Sequence, residues 1–458
     1  MSNKNYDCIR PDERGLRADR DEALVCRSLN LGLLQYWATR LADSPAEPPC
    51  TSPVRTVVWA GVSREAASIP ISWDGILAPH WSCSRTRIAH HRVVLMLQDT
   101  TELDFNGQSI DGLGPLSYEA QRRLYVHPTY AVSTDREPLG VLDAWIWARE
   151  PKDANGQRPG IKESTRWVES YEWVAELATE LPDAQLVYVS DRVSDMIDLI
   201  TGACELGTPV DWLLRAQHDR ALLDGQNLWQ TVTSGEELGG ISFTLPARHG
   251  QKARVGCQQL WASGVDLSKG KNQPIRATCV VAQEINPPAG SRPVAWRPLT
   301  DCIAETLEEV AEFIDWYRAG LEIEIFFHTL KNGCRIEALQ LDMIERLQRA
   351  IALYVMVSWR IAVLMRLDWT CPDWPADLFF YEEEWHAAYL LNKKKPPADL
   401  PTLNQVPRLA AMLGGFLARK GDGEAGVKTI WIGLQLVVDC AVGLQFTREA
   451  AGSAVSRV

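Results

Sequence analysis

The sequence predicts an α/β fold with a β-rich insertion and a helical C-terminal region. Apolar, strand-like runs alternate with segments of helical spacing between residues 86 and 217. Glycine, threonine, valine and turn-forming residues then dominate residues 218–300, which indicates consecutive strands. Helical periodicity resumes at residue 304 and continues towards the C-terminus. Strands that alternate with helices are typical of a sheet covered by helices.

These patterns divide the chain into five regions. Residues 1–85 form a poorly specified N-terminal region, because alternating charges and a proline-rich stretch dominate it. Residues 86–217 are assigned to the first part of the core and residues 218–300 to the β-rich insertion. Residues 301–335 return to the core with one continuous helix as far as Lys331, and residues 336–458 form the helical C-terminal region.

Composition narrows the possible partners and the location. The 458 residues are 46% hydrophobic and 23% charged, which is ordinary for a globular protein. The net charge of −12 excludes a uniformly basic DNA-binding surface, so DNA would have to be bound through local basic patches or metal ions. The eleven cysteines show no C-x-x-C pair, which favours reduced thiols. Because the N-terminus lacks an apolar signal segment and no uninterrupted apolar run is long enough for a membrane span, we predict a cytoplasmic protein with no membrane partner.

Three acidic residues stand out by their context. Asp99 and Asp191 each end an apolar strand, and Glu324 lies within a mostly apolar helix. A carboxylate beside a core is costly unless it is paired, and a divalent cation is one such partner. Taken singly, each residue is also typical of an ordinary strand end or helix surface.

The helix around Glu324 presents a distinctive stripe. Tyr317, Glu324 and Lys331 are spaced seven apart, about two helical turns each, so they share one face. Glu322 points about 160° away from Glu324. A tyrosine, an acid and a lysine on one face suit a site for phosphate and metal.

The same three residues carry a resemblance to a known family. Their spacing matches the Y-x2-R-x3-E-x6-K signature of bacterial DDE transposases of the insertion-sequence-four family, which includes the transposon-five transposase group. "LQDTTELDF" and "VSDR" resemble the segments that carry the first and second aspartates of those enzymes. "INPPAGSRPVAWRPLT" resembles the segment before the catalytic helix, and the similarity extends over about residues 73–445.

The resemblance implies a fold and an activity. It implies an RNase H-like catalytic core whose β-rich insertion lies between the second aspartate and the glutamate. It implies two Mg²⁺ ions, replaceable by Mn²⁺, held by Asp99, Asp191 and Glu324. It further implies that the protein nicks double-stranded DNA at transposon ends and joins those ends to target DNA, working as a homodimer near the bacterial nucleoid.

The resemblance also implies three DNA-binding residues. Tyr317 and Lys331 would contact phosphates near the cleaved end, and Trp296 would stack on a flipped base. Stacking of a base on an aromatic ring contributes roughly 1–3 kcal/mol. Because the chain contains 18 tryptophans, a packing role for Trp296 is the alternative.

Two departures from the family pattern leave other functions open. The signature arginine falls on Gly320, and residues 1–72 do not resemble the family's DNA-end-recognition region. The loss of a bidentate phosphate contact favours a non-catalytic, DNA-binding descendant that inhibits related transposases through mixed dimers. A second alternative is a metal-free hydrolase that uses paired carboxylates.

Overall fold

The computed structural model describes most of the chain from residue 72 to residue 455. Within that span it leaves out residues 106–107, 109, 116–121, 151, 154, 157–162, 192–196, 223–224, 246–252, 268–273 and 420–423. Residues 1–71, which make up most of the predicted N-terminal region, therefore lie outside the described residues.

Strands and helices alternate in the first half, and helices dominate the second half. The strands are β1 Val93–Gln98, β2 Thr101–Asp104, β3 Gly114–Pro115, β4 Arg122–Ser133, β5 Pro138–Trp147, β6 Gln185–Ser190, β7 Asp211–Arg215, β8 Gly239–Leu245, β9 Arg254–Leu267, β10 Ile275–Ile285, β11 Ala295–Trp296 and β12 Pro298–Thr300. The α-helices are α1 Trp73–Ile88, α2 Glu163–Glu180, α3 Ile197–Glu205, α4 Leu228–Thr233, α5 Leu307–Ala319, α6 Leu321–His328, α7 Ile344–Thr370, α8 Glu382–Leu391, α9 Gln405–Leu413 and α10 Val427–Val455. A π-helix, Thr329–Gly333, and two 3₁₀ turns, Ile336–Ala338 and Ala376–Leu378, complete the described elements.

The described strands form one mixed, 12-stranded sheet. Strand β1 lies between β4, which is antiparallel to it, and β6, which is parallel to it, and β7 is parallel to β6. Strand β5 pairs with the other edge of β4. The sheet then continues through β12, β10, β9 and β8, so the strands of residues 218–300 extend the same sheet.

Apolar side chains cover both faces of this sheet. On one face, the buried residues of α5, α6 and α7 pack against alternate side chains of β1, β4 and β6. On the other face, α2 packs through Trp167 and Tyr171, and α3 packs beside it. Successive side chains of a strand point to opposite faces, so β1 and β6, which are covered on both faces, are buried along nearly their whole length.

The predicted continuous helix of residues 304–331 is divided in the structure. Helix α5 begins with a capping box between Thr306 and Glu309 and ends at Gly320. Helix α6 follows at once, and the chain then widens into the π-helix, where the Cys334 amide donates to the Thr329 carbonyl over 2.8 Å. Glycine weakens a helix interior, which accounts for the break. A π-turn often marks a functional site.

Two described helices are long and apolar enough to cross a membrane by length and composition alone. They are Ile344–Thr370, of which 67% of the most apolar window is buried, and Val427–Arg448, of which 39% is buried. A long core helix meets the same criterion, and the first of these helices lies in the core.

Candidate active site

Asp99 and Asp191 lie side by side at one edge of the sheet. Strands β1 and β6 are parallel, and Gln98 pairs with Ser190, so the next residue of each strand is one of the two aspartates. The Asp99 Oδ1 atom accepts a hydrogen bond from the Thr100 amide at 2.7 Å. The carboxyl ends of neighbouring parallel strands are where α/β sheets form sites.

Helix α6 brings Glu324 to the same edge. Its apolar residues Ile323, Phe326 and Phe327 are buried, and Phe326 stacks on Tyr130 of β4 with ring centroids 4.9 Å apart. This packing leaves Glu324 exposed on the other side of the helix, where its carboxyl group lies close to that of Asp99. The structure thus joins the three predicted acids from β1, β6 and α6 into one cluster.

The electrostatics of this cluster favour a cation. Burial, with smaller contributions from the neighbouring carboxylates of Asp191 and Glu324, raises the pKa of Asp99 to about 7. Like charges this close disfavour ionisation, and a divalent cation relieves that repulsion. Three carboxylates also form an oxygen donor set that suits Mg²⁺ or Mn²⁺.

Tyr317 and Trp296 lie next to each other where α5 meets the insertion. Their ring centroids are 6.5 Å apart, and Trp296 also packs against Phe243 of β8 at 4.9 Å. The Arg318 guanidinium lies over the Trp296 ring at 5.6 Å. Trp296 is half-buried, and its contacts with Phe243, Tyr317 and Arg318 give it the packing role that the sequence left open as an alternative.

Lys331 lies in the π-helix that follows α6. The side chain is half-buried, and the π-turn around it packs against α6, α7 and α10. A π-helix has a different number of residues per turn from an α-helix. The seven-residue spacing from Glu324 therefore does not by itself put Lys331 on the same helix face as that residue. Its position depends on the tertiary packing of the C-terminal helices.

Gly320 occupies the junction between α5 and α6 in a helical conformation, φ −53° and ψ −18°. A Cβ atom added there would lie 3.1 Å from the Tyr317 carbonyl oxygen and 4.0 Å from a methyl group of Val189. A side chain therefore needs only a small local shift. The absence of the signature arginine is not enforced by this backbone conformation.

One basic residue at this edge was missed in the sequence. Strands β6 and β7 are parallel, and Ser190 pairs with Leu214, so Arg215, the last residue of β7, lies level with Asp191. Its neighbour across the sheet is Pro298, beside Arg297. Nothing local in the sequence distinguishes Arg215, because only the order of the strands places it beside the acids.

A second group of potential ligands lies at the opposite edge of the sheet, where β7 begins. Among the described residues, the ligand atoms of Asp211, Asp301 and Cys302 all lie within 4.8 Å of one another. The Trp212 amide donates to the Asp301 Oδ1 atom at 2.8 Å. Burial raises the pKa of Asp301 to about 7, and Asp211 contributes a smaller repulsion.

Asp301 makes stability pH-dependent in a defined direction. Its pKa in the folded protein lies above the ordinary value of 3.8, so the unfolded chain loses this proton at a lower pH than the folded protein does. The free energy of unfolding therefore decreases as the pH rises from about 4 to about 7. We expect Asp301→Asn to raise the free energy of unfolding at pH 8 by roughly 1–3 kcal/mol and to change it little at pH 4.5. The amide oxygen still accepts from Trp212.

Denaturant unfolding at the two pH values measures this effect. Asp183→Asn, in an exposed loop, is the matched control. Equal changes in stability at pH 4.5 and pH 8 would contradict the assigned direction.

The fold and site define a mixed α/β protein with an acidic cluster at the carboxyl edge of its sheet. Residues 356–453 match the family model of the transposase Tn5 dimerisation domain. This segment runs from the middle of α7 through most of α10, so the C-terminal part of the chain is similar to a transposase domain.

A solved structure with some similarity is also a transposase. It is the piggyBac transposase in a synaptic complex with hairpin DNA, determined by cryo-electron microscopy, with 10% sequence identity and a TM-score of 0.32. The alignment covers 64% of this chain and 52% of that chain, so this chain matches about half of the piggyBac length. A similarity of this size does not define a function.

Proposed function

We propose that this protein is a DDE transposase that cleaves DNA at transposon ends and transfers the cut strands to target DNA. The observation that carries the proposal is the cluster of Asp99, Asp191 and Glu324 at one edge of the sheet. The match of residues 356–453 to a transposase dimerisation domain supports it independently, because it involves a different part of the chain.

The core belongs, in this proposal, to the RNase H-like class. The strand order β5-β4-β1-β6-β7, with the first three strands antiparallel and the last three parallel, supports this assignment. Strands β8 to β12 lie between Asp191 and Glu324 in the chain, which is where the family resemblance implies an insertion.

Asp99, Asp191 and Glu324 would hold two Mg²⁺ ions, for which Mn²⁺ can substitute. Bound metal would supply an activated attacking oxygen and stabilise the leaving one. Asp99 lies between the other two acids in its electrostatic contacts, because both Asp191 and Glu324 contribute to its raised pKa. Among the described residues, the ligand atoms of these three acids do not all lie within 4.8 Å of one another, so binding of both ions would draw the carboxylates closer together.

DNA would lie along the edge that carries the acids. Tyr317 and Lys331 would contact phosphates, Arg215 adds positive charge beside Asp191, and Trp296 would stack on an extruded base. Because Trp296 packs between Phe243 and Tyr317, base stacking would require some rearrangement of this contact. The net charge of −12 makes these local groups and the metal ions the main determinants of DNA affinity.

A homodimer on paired DNA ends is the proposed assembly, supported by the similarity of the C-terminal segment to a dimerisation domain. A cytoplasmic location beside the nucleoid remains a prediction.

Cleavage of DNA in the presence of metal tests the proposed activity. The purified chain is incubated with Mg²⁺ and duplexes taken from the DNA that flanks its own gene, and 3′-nicks are mapped with and without EDTA. Nicking that EDTA abolishes is expected. Activity that persists in EDTA would instead indicate the metal-free carboxylate hydrolase.

Gly320 favours a second candidate, a non-catalytic DNA-binding descendant. The glycine removes the guanidinium that the family signature places between Tyr317 and Glu324. Binding of the flanking duplexes without nicking would support this candidate.

Restoring the arginine separates the two candidates. We expect Gly320→Arg to strengthen binding of cleavable ends and speed nicking by roughly 10–100-fold, because a charge-assisted hydrogen bond contributes about 1.5–3 kcal/mol. Gly320→Ala is the control, because it restores helix propensity without the charge. If the alanine and arginine variants behave alike, the guanidinium has no role at this position.

A further inference from the structure

A buried histidine of β4 lies one residue away from the acidic cluster. His127 is fully buried, and its ring meets Trp167 of α2 edge to face, with centroids 4.6 Å apart and planes at 82°. Burial, with a smaller contribution from the charge of Arg166, lowers the pKa of His127 to about 3. The imidazole is therefore a neutral group in a fixed place.

This imidazole is connected to Asp99 through one residue. The His127 Nδ1 atom lies 2.8 Å from the Thr100 Oγ1 atom, within hydrogen-bond distance. The backbone amide of Thr100 in turn donates to the Asp99 Oδ1 atom at 2.7 Å. Thr100 lies between the end of β1 and the start of β2, so it belongs to neither strand. Its side-chain contact therefore helps to fix the amide that orients the Asp99 carboxylate.

The residue on the other side of Asp99 is held in the same way. The side-chain Nε2 atom of Gln98 donates to the Thr129 Oγ1 atom at 3.1 Å, and both side chains are buried. Thr129 and His127 are two apart on β4, so they project from the same face of the sheet. We call these two residues the β4 clamp.

The two residues of the β4 clamp lie on the face of the sheet opposite to the acidic side chains. Side chains alternate along an extended chain, so Gln98 and Thr100 point towards α2 while Asp99 between them points towards Glu324 of α6. Side-chain hydrogen bonds to β4 thus hold both neighbours of Asp99 from the opposite face of the sheet. A carboxylate that must share metal ions needs its position defined to within roughly 0.5 Å.

We propose that His127 is a positioning residue for the metal site, acting through Thr100 on the Asp99 carboxylate. The inference rests on the proposed function, because it takes Asp99 to be a metal ligand. His127 touches neither metal nor DNA. Supporting partners of this kind typically change metal affinity or activity by 10–100-fold when they are removed.

Thr100 provides the sharpest test, because it can be changed without disturbing the buried ring. Thr100→Val keeps the shape and removes the hydroxyl, whereas Thr100→Ser keeps the hydroxyl. We expect the valine variant of the full-length chain to bind Mn²⁺ roughly 10–100-fold more weakly in calorimetry and to need correspondingly more Mg²⁺ for nicking. The serine variant should stay within about threefold of wild type.

A second pair of variants tests His127 itself. His127→Asn places an amide near the position of Nδ1 and should restore part of the Mn²⁺ affinity that His127→Leu loses. In the Thr100→Val background the two histidine variants should bind Mn²⁺ equally, because the hydroxyl that distinguishes them is gone.

The outcomes distinguish this inference from the proposed function. Wild-type Mn²⁺ binding that depends on Glu324 but not on the Thr100 hydroxyl would overturn the positioning role alone. Mn²⁺ binding that does not depend on Glu324 would overturn both. A loss of thermal stability in the valine variant with unchanged Mn²⁺ affinity would show that the clamp is merely structural.

Discussion

Replacing Glu324 with glutamine is expected to reduce strand cleavage by about 10³-fold or more while DNA binding changes little. The amide keeps the size of the side chain and removes the negative charge, so the cluster would lose one of its three carboxylate ligands. Metal ions contribute several kcal/mol to charge stabilisation in such reactions, and about 4 kcal/mol corresponds to a factor of 10³. Nicking rates and duplex affinity, measured on the same preparation, check the expectation.

Glu322 offers a matched control on the same helix. It lies two residues from Glu324 and faces the opposite side, near the charges of Arg366 and Arg136. Glu322→Gln removes the same charge from the same element and should leave the nicking rate within a few-fold of wild type. Equal losses in the two variants would mean that α6 is sensitive to any charge change, and Glu324 would have no special role.

Among the substitutions proposed for this protein, Gly433→Ala is expected to cause the largest loss of stability. Gly433 lies in α10 where that helix crosses α9, and an added Cβ atom would lie 1.6 Å from the Ala410 carbonyl oxygen. Backbone cannot move aside as a flexible side chain can, so α9 and α10 would have to separate. We expect a loss of at least about 3 kcal/mol, seen as a lower Tm and faster proteolysis of the C-terminal helices.

Gly443, ten residues later in the same helix, is the control. An added Cβ atom there meets no atom within 4 Å. Gly443→Ala should stabilise the protein by roughly 0.5–1 kcal/mol through helix propensity alone. If Gly433→Ala were as stable as Gly443→Ala, the close approach of α9 and α10 in this structure would be contradicted.

The acidic residues could be selected as candidates because their signals are local, although each signal alone is also typical of an ordinary strand end or helix surface. Asp99 and Asp191 follow short apolar runs, and parallel strands bring their ends to one edge. Glu324 is distinguished by an apolar helix around it. These signals depend on a few neighbouring residues, so they can be recognised in the sequence without knowledge of the tertiary structure. What the acids do remains a proposal.

Other features could not be predicted because they depend on contacts between distant segments. The break at Gly320 was not predicted, because the sequence indicated one continuous helix as far as Lys331. The π-helix around Lys331 is set by packing against α7 and α10. Arg215 reaches the site through strand order. His127 lies 27 residues from Thr100 in the chain, and only the pairing of β4 with β1 and β2 brings them together.

The most direct measurement is the position of Mn²⁺ in crystals of this chain, located by anomalous scattering. We expect two peaks at the edge of the sheet, with ligands from Asp99, Asp191 and Glu324. Loss of these peaks in Glu324→Gln crystals would agree with the assignment. Mn²⁺ bound only at Asp211, Asp301 and Cys302, or at neither group, would contradict the claim that the three acids form a metal site.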